Sequence, residues 1–464
     1  MTKFSFPEPG AVVRDIEGRR YKLVAQLNDT GGQGVIYTTE DTNLLIKVRT
    51  PPRSRDSQDY RRQLLVLAQR NLKIDALVLP RAVLDEPYLG YIMDRVDYAI
   101  PLDELVYPKI SSKTWHIETG GLRRRLQIAA ELARTILQIH RNGLCYVDLS
   151  WKNVLILSDS KKRTLIKLID PDNLSIPGTS LAEVKGSAGF IAPEILKEDR
   201  FPNHTSDRWS LAVAIFNLLV LNHPFFGDQV LEGEAELEDK AWRGELPYTD
   251  SKDNHQNRSS VGLPVGKVLT RKLRELSRQA FEAGVTDPHA RPSPEEWLSA
   301  LQEASDQTAH CPECRGTSYL PEMRNSDLVC EWCGETSPRP IELGFFPPDS
   351  TIEDLDDDER RELNRQRKPH RLVLDTGQRT LPTRLINSDP ETIGDVAFFG
   401  TKLNSQNEKV CGLENRNQDH WETKDTAGGK QTIAPGERVW LFDKTIIRFS
   451  SGIRAMVRNP YMRR

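Results

Sequence analysis

Residues 146–153 read YVDLSWKN and residues 168–172 read LIDPD. Asp148 and Asn153 stand with four residues between them, and Asp170 follows Asn153 by 17 positions. Upstream, from Gly121 to Arg141, Leu126, Ile128, Leu132, Ile136 and Ile139 recur at helical spacing. Residues 153–157 and 165–169 are apolar runs that read as short strands. The stretch therefore predicts a helix, a loop bearing Asp148 and Asn153, and two strands, the second ending at Asp170. A carboxylate to orient a hydroxyl, with an amide and a second carboxylate to hold Mg²⁺ or Mn²⁺, is a hard-oxygen set. Any one of these residues alone reads as a turn residue at a strand end. The three together at this spacing point to phosphoryl transfer, which needs phosphates held, a metal held, a hydroxyl aligned and charge neutralised.

Working outward, the N-terminal side supplies the phosphate end. DTGGQGVIY, residues 29–37, carries Gly31, Gly32 and Gly34, whose backbone can approach phosphates closely. Glycine-rich hairpins are common, so the run means little by itself. Lys47 in LLIKV, at the end of the next strand, adds a cation that can reach phosphates. Residues 56–72 read as a helix and 88–96 as a strand, and a helical region runs from about Arg208 to Leu301. Strands first and helices later describe a two-lobed α+β domain.

Composition narrows the class. With 464 residues, 38% hydrophobic and 28% charged, the chain reads as two or three globular domains. A net charge of −3 argues against nucleic acid or a membrane surface as a main partner. No run of 18 apolar residues occurs, and MTKFSFPEPG lacks the apolar stretch of a signal peptide. Four of the six cysteines lie in CxxC pairs, which suggests a reducing, cytoplasmic setting.

As an ordered set, these segments resemble a eukaryotic-type serine/threonine protein kinase over residues 20–302. The resemblance implies a two-lobed kinase fold and Mg-ATP as cofactor. It implies that Lys47 contacts the α/β-phosphates, that Asp148 orients the acceptor hydroxyl and that Asn153 and Asp170 hold Mg²⁺. IMDRV resembles the lobe hinge, with Met93 as gatekeeper and Asp94 to Val96 facing the adenine. GSAGFIAPE, 186–194, is similar to the end of an activation segment, with Ser187 at the usual threonine position. Asp207 matches the aspartate that braces the catalytic loop, and Arg291 the arginine that pairs with Glu194. The departures are specific. Asp29 replaces the first loop glycine, and Tyr146-Val147 replaces His-Arg, so an activation-segment phosphate loses its usual partner. Pro171-Asp172 replaces Phe-Gly after Asp170, and Ser150 stands where a lysine is expected, with Lys152 as the alternative charge. No glutamate occurs in 56–72, which leaves Asp59 or Gln63 as partner of Lys47. GYIMDRVD, the missing His-Arg and the DPD motif resemble a divergent bacterial branch found in tellurite-resistance-like gene modules. That resemblance implies stress or defence signalling, beside a metal-dependent Ser/Thr phosphatase and a von Willebrand A protein.

Cys311, Cys314, Cys330 and Cys333 form C-x2-C-x15-C-x2-C, the spacing of a structural Zn²⁺ ribbon. Redox pairs or plain thiols are the competing reading. The insert RGTSYLPEMRNSDLV carries only two arginines, which argues against a nucleic-acid role. The expected domains are a protein-kinase-like domain at 1–302, a zinc ribbon at 303–336, a charged linker at 337–369 and a β-sandwich module at 370–464. The last distantly resembles the back half of a forkhead-associated domain, without its phosphothreonine-binding motifs. Two function classes follow: a Mg-ATP-dependent kinase acting on Ser/Thr hydroxyls of proteins, itself included, and a pseudokinase that binds nucleotide as a regulatory scaffold.

Overall fold

The structure is a computed structural model. It describes residues 4–27, 34–51, 57–70, 72–108, 112–157, 165–177, 186–197, 200–321, 327–348, 369–376, 378–403 and 409–462. The chain forms two compact units: Met1–Tyr107 with Glu131–Gly262 and Arg274–Glu295, and Pro108–Ala130 with Leu263–Leu273 and Glu296–Arg464. The main helices are α1 (Ser57–Gln69), α2 (Ser112–Glu118), α3 (Gly121–Arg141), α4 (His204–Val220) and α5 (Pro294–Asp306).

In the first unit, six strands form an antiparallel sheet in the order β1-β2-β3-β4-β6-β5. They are β1 (Val12–Arg14), β2 (Arg20–Gln26), β3 (Gly34–Thr39), β4 (Leu44–Arg49), β5 (Pro80–Val83) and β6 (Leu89–Asp94). Alternation along β4 sends Ile46 and Val48 into a cluster with Leu23, Val35 and Leu84, and Lys47 and Arg49 to the opposite face. On that second face Tyr91 and Met93 of β6 pack with Tyr60 and Leu64 of α1, one helical turn apart. The strand pairs β7 (Ala99–Pro101) with β9 (Val154–Leu157), β9 with β10 (Ile166–Leu168), and β8 (Cys145–Tyr146) with β11 (Leu174–Ser175) carry the loops of the site. Helix α4 is almost wholly apolar from Leu211 on, and nearly every side chain is buried, as a central helix requires. Its start is fixed by a capping box between Asn203 and Ser206. Arg291, 1% exposed, holds Glu194 through two 2.7 Å bonds and donates to the carbonyls of Thr205 and Gly284, each at 2.8 Å.

The second unit starts from α2 and the first half of α3. The hairpin β12 (Thr308–His310) with β13 (Thr317–Tyr319) and the hairpin β14 (Leu328–Val329) with β15 (Thr336–Ser337) carry the four cysteines. A sandwich follows. One sheet has the order β17-β16-β25-β24-β21-β22, from β16 (Ile341–Phe346), β17 (His370–Leu374), β21 (Trp421–Lys424), β22 (Lys430–Ile433), β24 (Ile446–Arg448) and β25 (Arg454–Arg458). The other has the order β18-β19-β20-β23, from β18 (Thr380–Pro382), β19 (Asp395–Leu403), β20 (Lys409–Asn415) and β23 (Arg438–Trp440). Leu343, Leu372, Leu413, Trp421, Ile447 and Val457 are fully excluded from solvent in its core.

Two expected boundaries change. Residues 341–346, placed in the linker, are a strand interior to the six-stranded sheet, and their apolar run IELGFF between Pro340 and Pro347 explains why. Residues 108–130, placed with the kinase-like domain, cluster with the cysteine hairpins and the sandwich. Arg123 ties them together: its guanidinium donates to Thr308 Oγ1 at 2.7 Å and to both Asp375 oxygens at 2.9 Å.

Candidate active site and cysteine centre

The loop between β8 and β9 is built around Asp148. Asn153 Nδ2 donates to the Asp148 carbonyl at 2.8 Å and to its Oδ2 at 3.1 Å, and Ser187 Oγ donates to Oδ1 at 2.7 Å. Each carboxylate oxygen thus has its own donor, which restrains the rotamer of Asp148. Beneath the loop, Asp207 of α4 is 1% exposed and accepts from Tyr146 N at 2.7 Å, with His140 Nε2 at 2.9 Å. The Tyr146 hydroxyl donates to the Ile169 carbonyl and ties this loop to the strand before Asp170. Ser150 is buried, Lys152 is exposed on the Trp151–Asn153 turn, and Val147 donates its N–H to Asn173 O at 3.0 Å.

Asp170 sits at φ 59°, a left-handed conformation that Asp tolerates better than most residues. Pro171 opens a single helical turn, Pro171–Asn173, closed by Asn173 N to Asp170 O at 3.0 Å. Lys47 Nζ lies 2.9 Å from Asp170 Oδ1 and 3.3 Å from both oxygens of Asp172. Asp172 also receives Arg49 Nη1 at 3.0 Å, the Tyr91 hydroxyl at 3.1 Å and the Tyr60 hydroxyl at 3.3 Å. The side chain of Asp172 is 0% exposed and that of Asp170 25%. Burial pushes the Asp172 carboxyl up, but Lys47 and Arg49 outweigh it and hold the group below the usual carboxylate range. Asp170 moves the other way: burial raises it, Lys47 opposes, and the neighbouring Asp172 and Asp148 charges raise it further. Lys47 stays above its ordinary value because Asp172 and Asp170 overcome its burial.

Neither expected partner of Lys47 has that role. Asp59 is exposed and pairs with Arg62 at 3.1 Å, and Gln63 Nε2 donates to Leu174 O at 2.6 Å. Besides Asp170, the anion beside Lys47 is Asp172, a residue sequence reading noted only as a missing glycine. A signal was present: in LLIKVR, Lys47 and Arg49 are two apart, so a strand puts both cations on one face that must meet an anion.

On the nucleotide side, Gly31, Gly32 and Asp29 lie outside the described residues. Gly34 opens β3, where a Cβ would come within 2.5 Å of Val48 O, so a side chain is excluded. Met93 is buried, while Ile36, Leu45, Val96 and Ile169 are half-buried apolar groups packed against the same cluster. Asp94 is exposed and pairs with Arg81 at 2.6 Å.

In the second unit the Sγ atoms of Cys311, Cys314, Cys330 and Cys333 all lie within 4.8 Å of one another. Cys311–Cys333 and Cys314–Cys330 are 3.7 and 3.6 Å apart, the separation expected across a tetrahedron with ~2.3 Å metal–sulfur bonds. Backbone N–H groups of Gly316 and Trp332 point at Cys314 and Cys330 Sγ at 3.4 Å each. The Trp332 ring packs against His116 of α2, tilted by 34° with centroids 4.6 Å apart, and its Nε1 donates to Thr317 O at 2.7 Å.

Residues 110–301 match the family model described as the protein kinase domain. The chain is similar to calcium-dependent protein kinase 25 of Arabidopsis thaliana, 37% identical over 27% of this chain and 26% of the relative. It is similar to protein kinase C of Aspergillus fumigatus, 31% identical over 34% of this chain and 13% of the relative. It is also similar to calcium-dependent protein kinase 19 of Arabidopsis thaliana, 24% identical over 51% of this chain and 44% of the relative. The chain spans less than half the length of each of these curated relatives. Among the described residues, no helix is long and apolar enough to cross a membrane. Asp148, Asn153 and Asp170 all lie within the stretch that is similar to a protein kinase domain, and Lys47 meets Asp170 in the same unit.

Proposed function

We propose that the chain is a Mg-ATP-dependent protein kinase that transfers the γ-phosphoryl group to Ser/Thr hydroxyls of proteins, itself included. The observation that carries this reading is the Asp148 carboxylate clamped between Asn153 and Ser187, within one unit that also aims Lys47 at Asp170. Asp148 orients the acceptor hydroxyl and takes its proton. Lys47 neutralises phosphate charge. Asp170 and the remaining Asn153 oxygen would hold Mg²⁺ or Mn²⁺, a pair of hard oxygens suited to such an ion; the amide nitrogen is spent on Asp148. When bound, the metal neutralises phosphate charge. Ile36, Leu45, Val96 and Ile169 suit the face of a purine. Exposed Lys152 supplies positive charge beside Asp148.

The cysteine centre would hold a structural Zn²⁺, since four thiolates at tetrahedral separations leave no open ligand position. The two-sheet C-terminal module supports the forkhead-associated-like resemblance in shape alone. Val147 and the DPD motif keep the resemblance to the bacterial branch, with its expected cytoplasmic stress or defence role, phosphatase and von Willebrand A partners. The test is incubation with γ-labelled ATP and Mg²⁺ or Mn²⁺, then phosphosite mapping. Phosphoserine or phosphothreonine that vanishes in Asp148→Ala supports the proposal. A nucleotide-dependent thermal shift with no transfer under either metal makes the chain a nucleotide-binding scaffold instead.

A further inference from the structure

We infer that Asp172 is the positioning residue of Lys47, and that helix α1 does not supply the anion that aims this lysine. The inference rests on the kinase reading above and adds to it the source of that anion.

The geometry separates two carboxylates with two tasks. Asp170 is 25% exposed, so it can exchange Lys47 for a solvated cation. Asp172 is 0% exposed and surrounded by donors, namely Lys47, Arg49, Tyr60 and Tyr91. A buried carboxylate persists only when its lone pairs are filled by cations or hydroxyls, and four donors fill these. Asp172 therefore keeps its hold on Lys47 when Asp170 turns to a metal. Helix α1 contributes a donor to this cluster, the Tyr60 hydroxyl, and no anion: Asp59 is exposed beside Arg62, and Gln63 is spent on the Leu174 carbonyl.

Asp170 and Asp172 flank Pro171 in one closed turn. The carboxylate that holds the lysine and the carboxylate that faces the metal consequently move as one body. A shift of α1 costs Asp172 its Tyr60 donor but leaves Lys47, Arg49 and Tyr91 on it, and with them the alignment of Lys47 and Asp170.

The experiment compares full-length wild type, Asp172→Asn, and the double variant Asp172→Asn with Arg49→Met. In the single variant Lys47 and Arg49 lose the anion they share, so both melting temperature and transfer are expected to fall. The double variant removes one cation for the one anion lost. Its melting temperature is expected to return toward wild type, while kcat/KM for ATP stays down about 10²-fold, the scale of a misplaced catalytic group, and Mg-ATP affinity stays down roughly tenfold. Recovery of transfer together with melting temperature overturns the inference, because Asp172 would then only buttress the fold. If wild type binds Mg-ATP but transfers nothing, the kinase reading falls, and affinity still decides this inference. Wild-type affinity in the charge-balanced double variant would overturn it.

Discussion

Arg123 and Asp375 stand 252 positions apart in sequence and meet in a two-armed ion pair, 2.9 Å at each oxygen. Asp375 also accepts from His310 N at 2.8 Å, and the Arg123 backbone N–H donates to Thr317 Oγ1 at 3.0 Å. Helix α3, the cysteine hairpins and the sandwich are fastened at this one point. Arg123→Ala leaves a largely buried carboxylate without its cation, a change that typically costs about 3–5 kcal/mol. Calorimetry should show the second unit melting earlier, with Mg-ATP affinity much less affected. An unchanged melting curve would make the pair ornamental.

Acid should loosen the same unit. Burial pushes the Asp375 carboxyl up, but hydrogen bonds from His310 and Arg123 and the Arg123 charge hold it well below the usual range. At Asp306, burial is likewise outweighed, here by Arg384 and His370. A carboxyl whose folded value is depressed contributes stability that is fully present above its unfolded value, about 4, and is lost as pH falls below that toward the folded value. Stability of the second unit, followed by circular dichroism in denaturant, should therefore decline below about pH 4, and Asp375→Asn should flatten that decline. A variant with the wild-type acid profile would contradict the assignment.

Purified protein should contain close to one equivalent of zinc. Chelation at mildly acidic pH, where thiolates protonate, should release it and unfold the hairpins, since such a segment gains on the order of 10 kcal/mol from its metal. Because Trp332 packs against His116, the release should also raise hydrogen exchange in α2. Less than about half an equivalent, with four reactive thiols, would refute the centre.

Ser187→Ala should lower kcat without weakening Mg-ATP binding, because its hydroxyl holds Asp148 and the missing bond frees that carboxylate to rotate. Asp148→Ala should cost more, on the order of 10²–10⁴-fold, again in kcat. Equal loss of nucleotide affinity in both variants would place Asp148 on the nucleotide rather than on the acceptor.

Local chemistry was readable in the sequence, and long-range pairing was not. Gly121–Arg141 is a helix at the expected ends because its apolar stripe is long and strongly periodic. The cysteine centre follows from spacing alone. The partner of Lys47 does not, because it depends on a turn 125 positions away that folds back under β4. Strand β16 was hidden for another reason. Its six residues sit between prolines and an acidic run, and the composition of the whole stretch masked the apolar segment within it.

That strand has a consequence for how the chain is made. β16 pairs with β25, Glu342 opposite Arg458 and Phe346 opposite Arg454, while β17 occupies its other edge. The sheet therefore stays open on the ribosome until Arg458 has left the exit tunnel, and Leu343 has no finished core to enter before then. Closing so long a loop is slow and leaves strand edges exposed meanwhile. A fragment begun at 370 would carry that gap permanently, with Leu372 and Val457 bared on either side of the missing strand, and should aggregate where one begun at 338 stays monomeric.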